Sequence, residues 1–360
     1  MSDVKNSEML FIYGAELCNP NGDPDEENKP RIDPRTNINL VSDLRLKRYV
    51  RDYIIKKFGE KYVWVTTIEG KNVTAEDRGG KLLDQWKDDK TLKMIKEKKG
   101  EAEEWVTIVP KLCIDARMFG ALITIRPRKK GGAETEEKTA KTEEKTAKTE
   151  KGASAKYTGP VQFSWGYSLH PVEVVESSTI TSIFVGREAV GEGEQYGTMG
   201  KDWRLYYSLI AFYGIVSGMR GKDTWLKESD VKILDNILWD SLKLGATTRT
   251  KIGQTPHLYL RVEYKDKETL IGDLRYYIGS EYEKQVRKLS DIKLSYSDLL
   301  KKLKEYASRI EKVYIRESGE INWVEDKSLT EALEKELKGA VIRLPHEASV
   351  LSEENIVVTE

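Results

Sequence analysis

The sequence predicts an α+β fold of the ferredoxin-like βαββαβ kind, enlarged by insertions. Three observations predict it. Four stretches, residues 8–17, 162–169, 203–216 and 256–264, have the composition and alternation of strands. Two stretches opening at Ser42 and Ser229 carry apolar residues at helical spacing, one after the first strand and one after the third. The segments between these elements are polar, repetitive or glycine-rich, so they read as insertions.

Residues 8–17 (EMLFIYGAEL) make a buried strand. The next stretch, Asn19-Pro-Asn-Gly-Asp-Pro24 with Pro30 and Pro34 beyond it, is too rich in Pro and Asn-Gly for a regular element and makes a long loop. Loops this long in compact domains are functional or disordered. Ser42 is placed to cap a helix, Leu46, Tyr49, Val50, Tyr53 and Ile54 form its buried face, and Gly59 stops it. Residues 60–126 are expected to be a peripheral insertion, with 111–126 extended or half-buried. Residues 127–156 contain TEEKTAK twice, at 135–141 and 142–148, and no apolar residue larger than alanine. Such a segment cannot bury a core and is expected to be a disordered low-complexity loop.

Phe163, Trp165, Tyr167 and Leu169 then alternate with Gln162, Ser164, Gly166 and Ser168, the period of a strand with one buried face. Residues 171–201 hold two short β-rich pieces around GEGEQYG and are expected to project as a hairpin arm. Residues 203–216 are apolar on both faces, as in a central strand. The helix from Ser229 buries Val231, Leu234, Leu238 and Leu242 and ends at Gly245. The strand 256–264 sets Leu258, Leu260, Val262 and Tyr264 on one face. Residues 1–264 thus form one unit, and 265–360 a Lys/Glu-rich, mainly helical segment packed on it.

Bulk properties narrow the function. The chain has 360 residues, 39% of them hydrophobic, enough for one large domain with insertions. Its 60 basic and 60 acidic residues cancel, so any polyanion must meet a local patch. Cys18 and Cys113 stand far apart with no Cys/His cluster, which excludes an ordinary zinc site and fits a reducing cytoplasm. No secretory leader and no apolar run near 20 residues is visible, so no membrane is expected.

Three basic constellations suit phosphate. The helix after Ser42 carries Arg45, Lys47, Arg48 and Arg51, placed away from its apolar face, with Arg31 and Arg35 on the loop before it. Thr247, Thr248, Arg249 and Lys251 follow the second helix with small neighbours that allow close approach. Met199, Lys201, Trp203 and Arg204 lie at the foot of the arm, where flat aromatic and cationic groups suit stacking on bases. Catalytic candidates are thin. His170, His257 and His346 lack a neighbouring nucleophile signature, and Asp33, on a loop beside Arg31 and Arg35, is the best acidic candidate. No phosphate-binding GxxxxGK[ST] motif is present, and no cofactor or metal is expected.

Six segments in order make the chain resemble the backbone subunit of type I CRISPR interference complexes, the Cascade "Cas-seven" family, nearest its I-B branch. They are the first strand with Asn19-Pro-Asn-Gly-Asp-Pro24; Arg31-Ile-Asp33; Asn39-Leu-Val-Ser-Asp43-Leu-Arg-Leu-Lys47-Arg48 with Arg51-Asp52-Tyr53; Asp115-Ala-Arg117-Met-Phe-Gly120; Thr158-Gly-Pro160-Val-Gln162; and Gly197-Thr-Met-Gly200. They span about residues 8 to 264, and the TEEKTAK copies have no counterpart in the resemblance.

The resemblance implies an RRM-like palm with a thumb, here 171–201. It implies many copies polymerised along one guide CRISPR RNA in a helical filament, pairing of that guide with target DNA, and further interference-complex subunits as partners. It places the guide backbone on Ser42, Arg45, Lys47, Arg48 and 247–251. With Arg31, Arg35, Arg51, Met199, Lys201, Trp203 and Arg204 from the basic constellations, and Arg117 and Gln162 from the matching motifs, these make the expected RNA-binding set. Catalysis is not expected. Two alternatives stay open: target-RNA cleavage through Asp33, as in related type III subunits, and guide processing with His170 as base. The aromatic signature of ordinary RRM sheets is absent, so the sheet face need not stack bases.

Overall fold

A computed structural model describes residues 4–87, 90, 93, 104–125, 153–176, 179–181, 199–345 and 356. Its centre is an eight-stranded sheet. The strands are β1 (Ser7–Cys18), β2 (Ile38–Val41), β3 (Val161–Phe163), β4 (Gly166–Pro171), β5 (Leu205–Val216), β6 (Gln254–Tyr264), β7 (Ile310–Glu317) and β8 (Val341–Arg343). They lie in the order β8-β7-β6-β1-β5-β4-β2, with β3 also on β5. Neighbours are antiparallel except β7 and β8, which are parallel.

β1 is the middle of the sheet, with Phe11 opposite both Phe212 and Tyr259. Side chains alternate between the two faces of a strand. Met9, Phe11, Tyr13 and Ala15 therefore enter one core, and Leu10 and Ile12 enter another. The first core is roofed by α1 (Asp43–Phe58) and by the later helix Glu228–Gly245. The second is roofed by the C-terminal segment, through Leu294, Leu299 and Leu303 among others. Each large aliphatic side chain buried this way stabilises the fold by roughly 1.5–3 kcal/mol. Both faces of the sheet are thus covered, which leaves its ends and edges for function.

Local chemistry explains the helices. Ser42 accepts the Arg45 amide at 3.3 Å at the start of α1, and Gly59, at φ +105°, ends it in a conformation that favours glycine. Gly245 closes the second long helix against α1. A Cβ there would meet the Tyr49 ring at 2.2 Å.

The mixed α+β class is as expected, but three segments differ. Residues 60–126 are not peripheral. They contain α2 (Ala75–Trp86), α3 (Glu104–Leu112) and α4 (Ile114–Phe119), whose Trp86, Ile108, Val109, Leu112 and Met118 join the first core. The helix α4 is buried at all six positions, so it lacks the one-sided period that reveals a helix in sequence. A strand, Gly120–Ile125, follows and pairs with Ala153–Thr158, so the expected low-complexity loop gives up 153–156 to a hairpin. Both TEEKTAK copies lie outside the described residues.

The C-terminal segment is the second difference, because it is as much strand as helix. A hairpin of Gly279–Tyr282 and Ile292–Ser295 precedes α6 (Ser297–Glu305), where the helix Glu228–Gly245 is α5, and α7 (Leu329–Glu336) lies between β7 and β8. The stretch 297–314 reads as one Lys/Glu helix, yet it turns after Glu305 and β7 starts at Ile310. The open edge of β6 supplies backbone partners and an apolar face, and tertiary pairing overrides propensity there. The third difference is β2, a strand too short to announce itself in sequence. In the expected arm, Thr179–Thr181 pairs antiparallel with Met199–Lys201; residues 177–178 and 182–198 lie outside the described residues. No helix among the described residues is long and apolar enough to cross a membrane.

Candidate nucleic-acid interface

The basic helix does not present a row of cations to solvent. Lys47 is 6% exposed, and its Nζ donates to Asp43 Oδ2 at 2.9 Å and to Gln162 Oε1 at 3.0 Å. Arg51 is also buried, with Nε donating to Asp115 Oδ2 at 2.8 Å, and Asp115 further accepts the Trp64 and Val65 amides. The side of α1 that the wheel leaves polar is packed against β3 and α4, which the sequence reading had placed elsewhere. Arg48 stays exposed in a surface pair with Asp52 at 2.8 Å. Such exposed pairs are worth little.

Arg117 is withdrawn further from the surface. It is fully buried, its Nε and Nη2 donate to the two oxygens of Asp230 at 2.9 and 2.8 Å, and Nη1 donates to the Pro110 and Lys111 carbonyls. The carbonyl of Ile356 also accepts from Nη2. Gln162 spends its amide on the Gly159 carbonyl at 2.9 Å and its oxygen on Lys47. Lys47, Arg51, Arg117 and Gln162 are thus each held by partners within the chain. A lone Asp115 inside the apolar run IDARMF was the sequence signal for a buried partner.

The other expected residues meet at one end of the sheet. There β1 ends, β5 and β6 begin, and the arm departs. Arg204 Nη1 donates to the Leu17 carbonyl at 2.8 Å, its Nη2 to the Arg249 carbonyl at 3.3 Å, and the same guanidinium pairs with Asp202 at 2.8 Å. Arg249 pairs with that carboxylate at 3.3 Å. Lys251 Nζ donates to the Asn19 carbonyl at 2.5 Å. Lys29 and Lys201 stand over the Trp203 ring at 4.8 and 5.4 Å, and Lys201 lies 3.4 Å from Glu27. Arg45 lies over the Tyr49 ring at 4.3 Å.

Asn21 ties the loop to the helix start. Its Oδ1 accepts both the Ser42 amide at 3.0 Å and the Ser42 hydroxyl at 2.9 Å, and its carbonyl accepts the Arg31 amide. Arg31 itself pairs with Asp23 at 2.9 Å. Thr247 and Thr248 are exposed on the same rim, as is Arg35 on its loop; Met199 is described only as a strand position. Lys29, Asn19 and Asn21 lie here too, and two asparagines flanking a proline after a buried strand are the sequence sign of the last two.

Asn19 Oδ1, Arg45 Nε, Asp202 Oδ1 and Trp203 Nε1 at this end are buried and have no hydrogen-bond partner among the described residues. Burial, then the nearby Arg45, lowers the Lys251 pKa to about 8, so this cation is held without a carboxylate to compensate it.

The catalytic candidates are differently placed. Asp33 closes its own turn, with Oδ2 accepting the Thr36 hydroxyl at 2.5 Å and Oδ1 the Arg35 amide at 3.2 Å. These bonds hold its carboxyl below the usual carboxylate range. His170 is buried, its Nε2 accepts the Leu209 amide at 3.1 Å, and its Nδ1 faces the Pro171 carbonyl at 2.7 Å. Burial lowers its pKa, so it is a neutral core histidine.

Fold and surface define an α+β protein whose cations gather at one end of its central sheet. The family model for CRISPR-associated protein Cas7 matches residues 5–297. CRISPR-associated protein Cas7 of Haloferax volcanii is 31% identical over 325 residues, 89% of each chain. The chain belongs to the Cas7 family, the one its six ordered motifs resemble. Among solved structures it is similar to a chain of a CRISPR RNA-guided surveillance complex in a pre-nicking state, at 14% identity and TM-score 0.46, covering 94% of this chain and 96% of that one. It is also similar to a chain of a CRISPR RNA-guided surveillance complex, at 13% identity and TM-score 0.42, covering 94% of each.

Proposed function

We propose that this chain is a non-catalytic, guide-RNA-binding backbone subunit of a type I, I-B-like interference complex in the cytoplasm. In this reading β1, α1, β4, β5, α5 and β6 form an RRM-like palm, and 171–201 is its thumb. Copies stack along one guide in a helical filament beside other subunits, and the guide pairs with target DNA. The observation that carries it is the convergence of Arg45, Lys201, Trp203, Arg204, Arg249 and Lys251 at one end of a sheet whose two faces are already covered.

Purified protein should carry RNA of one discrete length, read as a high 260/280 nm absorbance ratio and one band on a denaturing gel. With about six phosphates held per copy, log affinity should fall with log salt at a slope of roughly −4 for a single strand. A flat salt response would remove the proposal. The alternative, target-RNA cleavage through Asp33, has less support, because that carboxylate is occupied in its own turn. Complementary RNA incubated with the complex and magnesium should stay intact with wild type and with Asp33→Ala alike.

The lowered pKa of Lys251 gives the binding a pH dependence. A phosphate beside Nζ stabilises the ammonium and raises its pKa in the complex. Below pH ~7 the lysine is protonated both free and bound, so affinity is flat. As pH rises through about 8, the free protein loses that proton and binding must restore it, so affinity falls. Lys251→Arg should abolish the fall, measured by fluorescence anisotropy from pH about 6.5 to 9.

A further inference from the structure

Between the cations at the end of the sheet lies an apolar step. The Glu16 amide donates to the Gly253 carbonyl and the Asn19 amide to the Thr250 carbonyl, each at 2.9 Å. These two bonds lay residues 16–19 alongside the turn 249–253, which Thr248 closes by accepting the Lys251 and Ile252 amides on its carbonyl. Leu17 and Cys18 lie between those two bonds on one segment, and Lys251 and Ile252 lie between them on the other. Cys18 is buried, and Lys251 is half-buried beside it. Leu17 and Ile252 are 49% and 61% exposed.

Leu17 has φ +45°, a left-handed conformation that a leucine rarely adopts. It is held there from three sides, by the flanking amides and by Arg204 on its own carbonyl. Strained backbone held by its surroundings tends to mark a working surface. The charges around the step are complementary to a polyanion: Lys29, Arg45, Lys201, Arg204, Arg249 and Lys251 outnumber Glu16, Glu27 and Asp202. Single strands offer a phosphate and an apolar base face at every nucleotide, so a surface that interleaves cations with apolar groups fits them.

We propose that Leu17 and Ile252 pack against one nucleobase of the bound strand, so that the palm holds a base as well as phosphates. This rests on the RNA-binding reading above. The test uses the full chain and two oligonucleotides of equal length, one of uridines and one abasic, which carry the same phosphates. Wild type should bind the uridine strand about tenfold more tightly, and Leu17→Gly with Ile252→Ser should lose most of that preference. Glycine tolerates the positive φ, and an unchanged thermal melting temperature verifies the fold. The salt slope should stay at the wild-type value, because the phosphate contacts remain. Equal wild-type affinity for the two strands overturns the inference while leaving the RNA-binding reading intact. So does a variant that keeps the preference but loses self-association, since the step is then a contact between copies. Failure of wild type to bind either strand overturns the RNA-binding reading itself.

Discussion

Arg117→Met should unfold the protein without being an RNA-binding variant at all. The guanidinium is fully buried and satisfies both oxygens of Asp230 and the carbonyls of Pro110 and Lys111. Removing it leaves a carboxylate charged and unpaired in the core, which costs roughly 3–5 kcal/mol. Domains of ordinary stability hold only about 5–15 kcal/mol in total. Urea titration should therefore show a large drop in midpoint. Adding Asp230→Asn, which removes the stranded charge, should restore part of it. A stable Arg117→Met protein with weakened RNA binding would contradict this assignment and return Arg117 to the interface.

The second large effect is on RNA. Lys201 and Arg249 have side chains 50% and 62% exposed, and each makes one ion pair, at 3.4 and 3.3 Å. Replacing both with alanine should remove about two phosphate contacts and lower the salt slope by roughly 1.4. At ~0.1 M salt that corresponds to about 25-fold weaker binding, the same for every RNA sequence. Arg48→Ala with Lys57→Ala, on the outward side of α1, should change affinity little. A sequence-selective loss in the first pair would mean those side chains read bases. Equal losses in the two pairs would mean the strand runs along α1.

The sequence disclosed the frame more readily than the surface. β1, α1, β5, α5 and β6 were legible because each has a full period of apolar residues and a chemical stop, such as Ser42 and Gly59 for α1. The helix Ile114–Phe119 was not, since burial at all six positions hides its period. That error propagated to the site. A helical wheel shows which side of α1 is polar, but it cannot show that Asp115 and Gln162 wait there for Arg51 and Lys47. Buried ion pairs and phosphate grips use the same residue types, and only the partner distinguishes them. Conversely, the clusters at 199–204 and 247–251 were found separately in sequence, and their meeting through Arg204 depends on strands far apart in the chain.

Covered sheet faces also change where an RNA can lie. In the proposed palm the second face, where an RRM of the ordinary kind stacks bases, is filled by Leu294, Leu299 and Leu303 of the C-terminal segment. Binding is then displaced to the end of the sheet, where Trp203 offers an aromatic ring between Lys29 and Lys201. A net charge of zero is no obstacle, since the cations that matter are gathered locally at one end of the sheet.

The central claim is that the guide crosses the end of the sheet. Photocrosslinking of the complex assembled on 4-thiouridine RNA, followed by mass spectrometry of the attached peptides, tests it most directly. Crosslinks should fall within residues 17–31, 199–206 and 247–254. Crosslinks concentrated on 47–58, with none at those three segments, would contradict it.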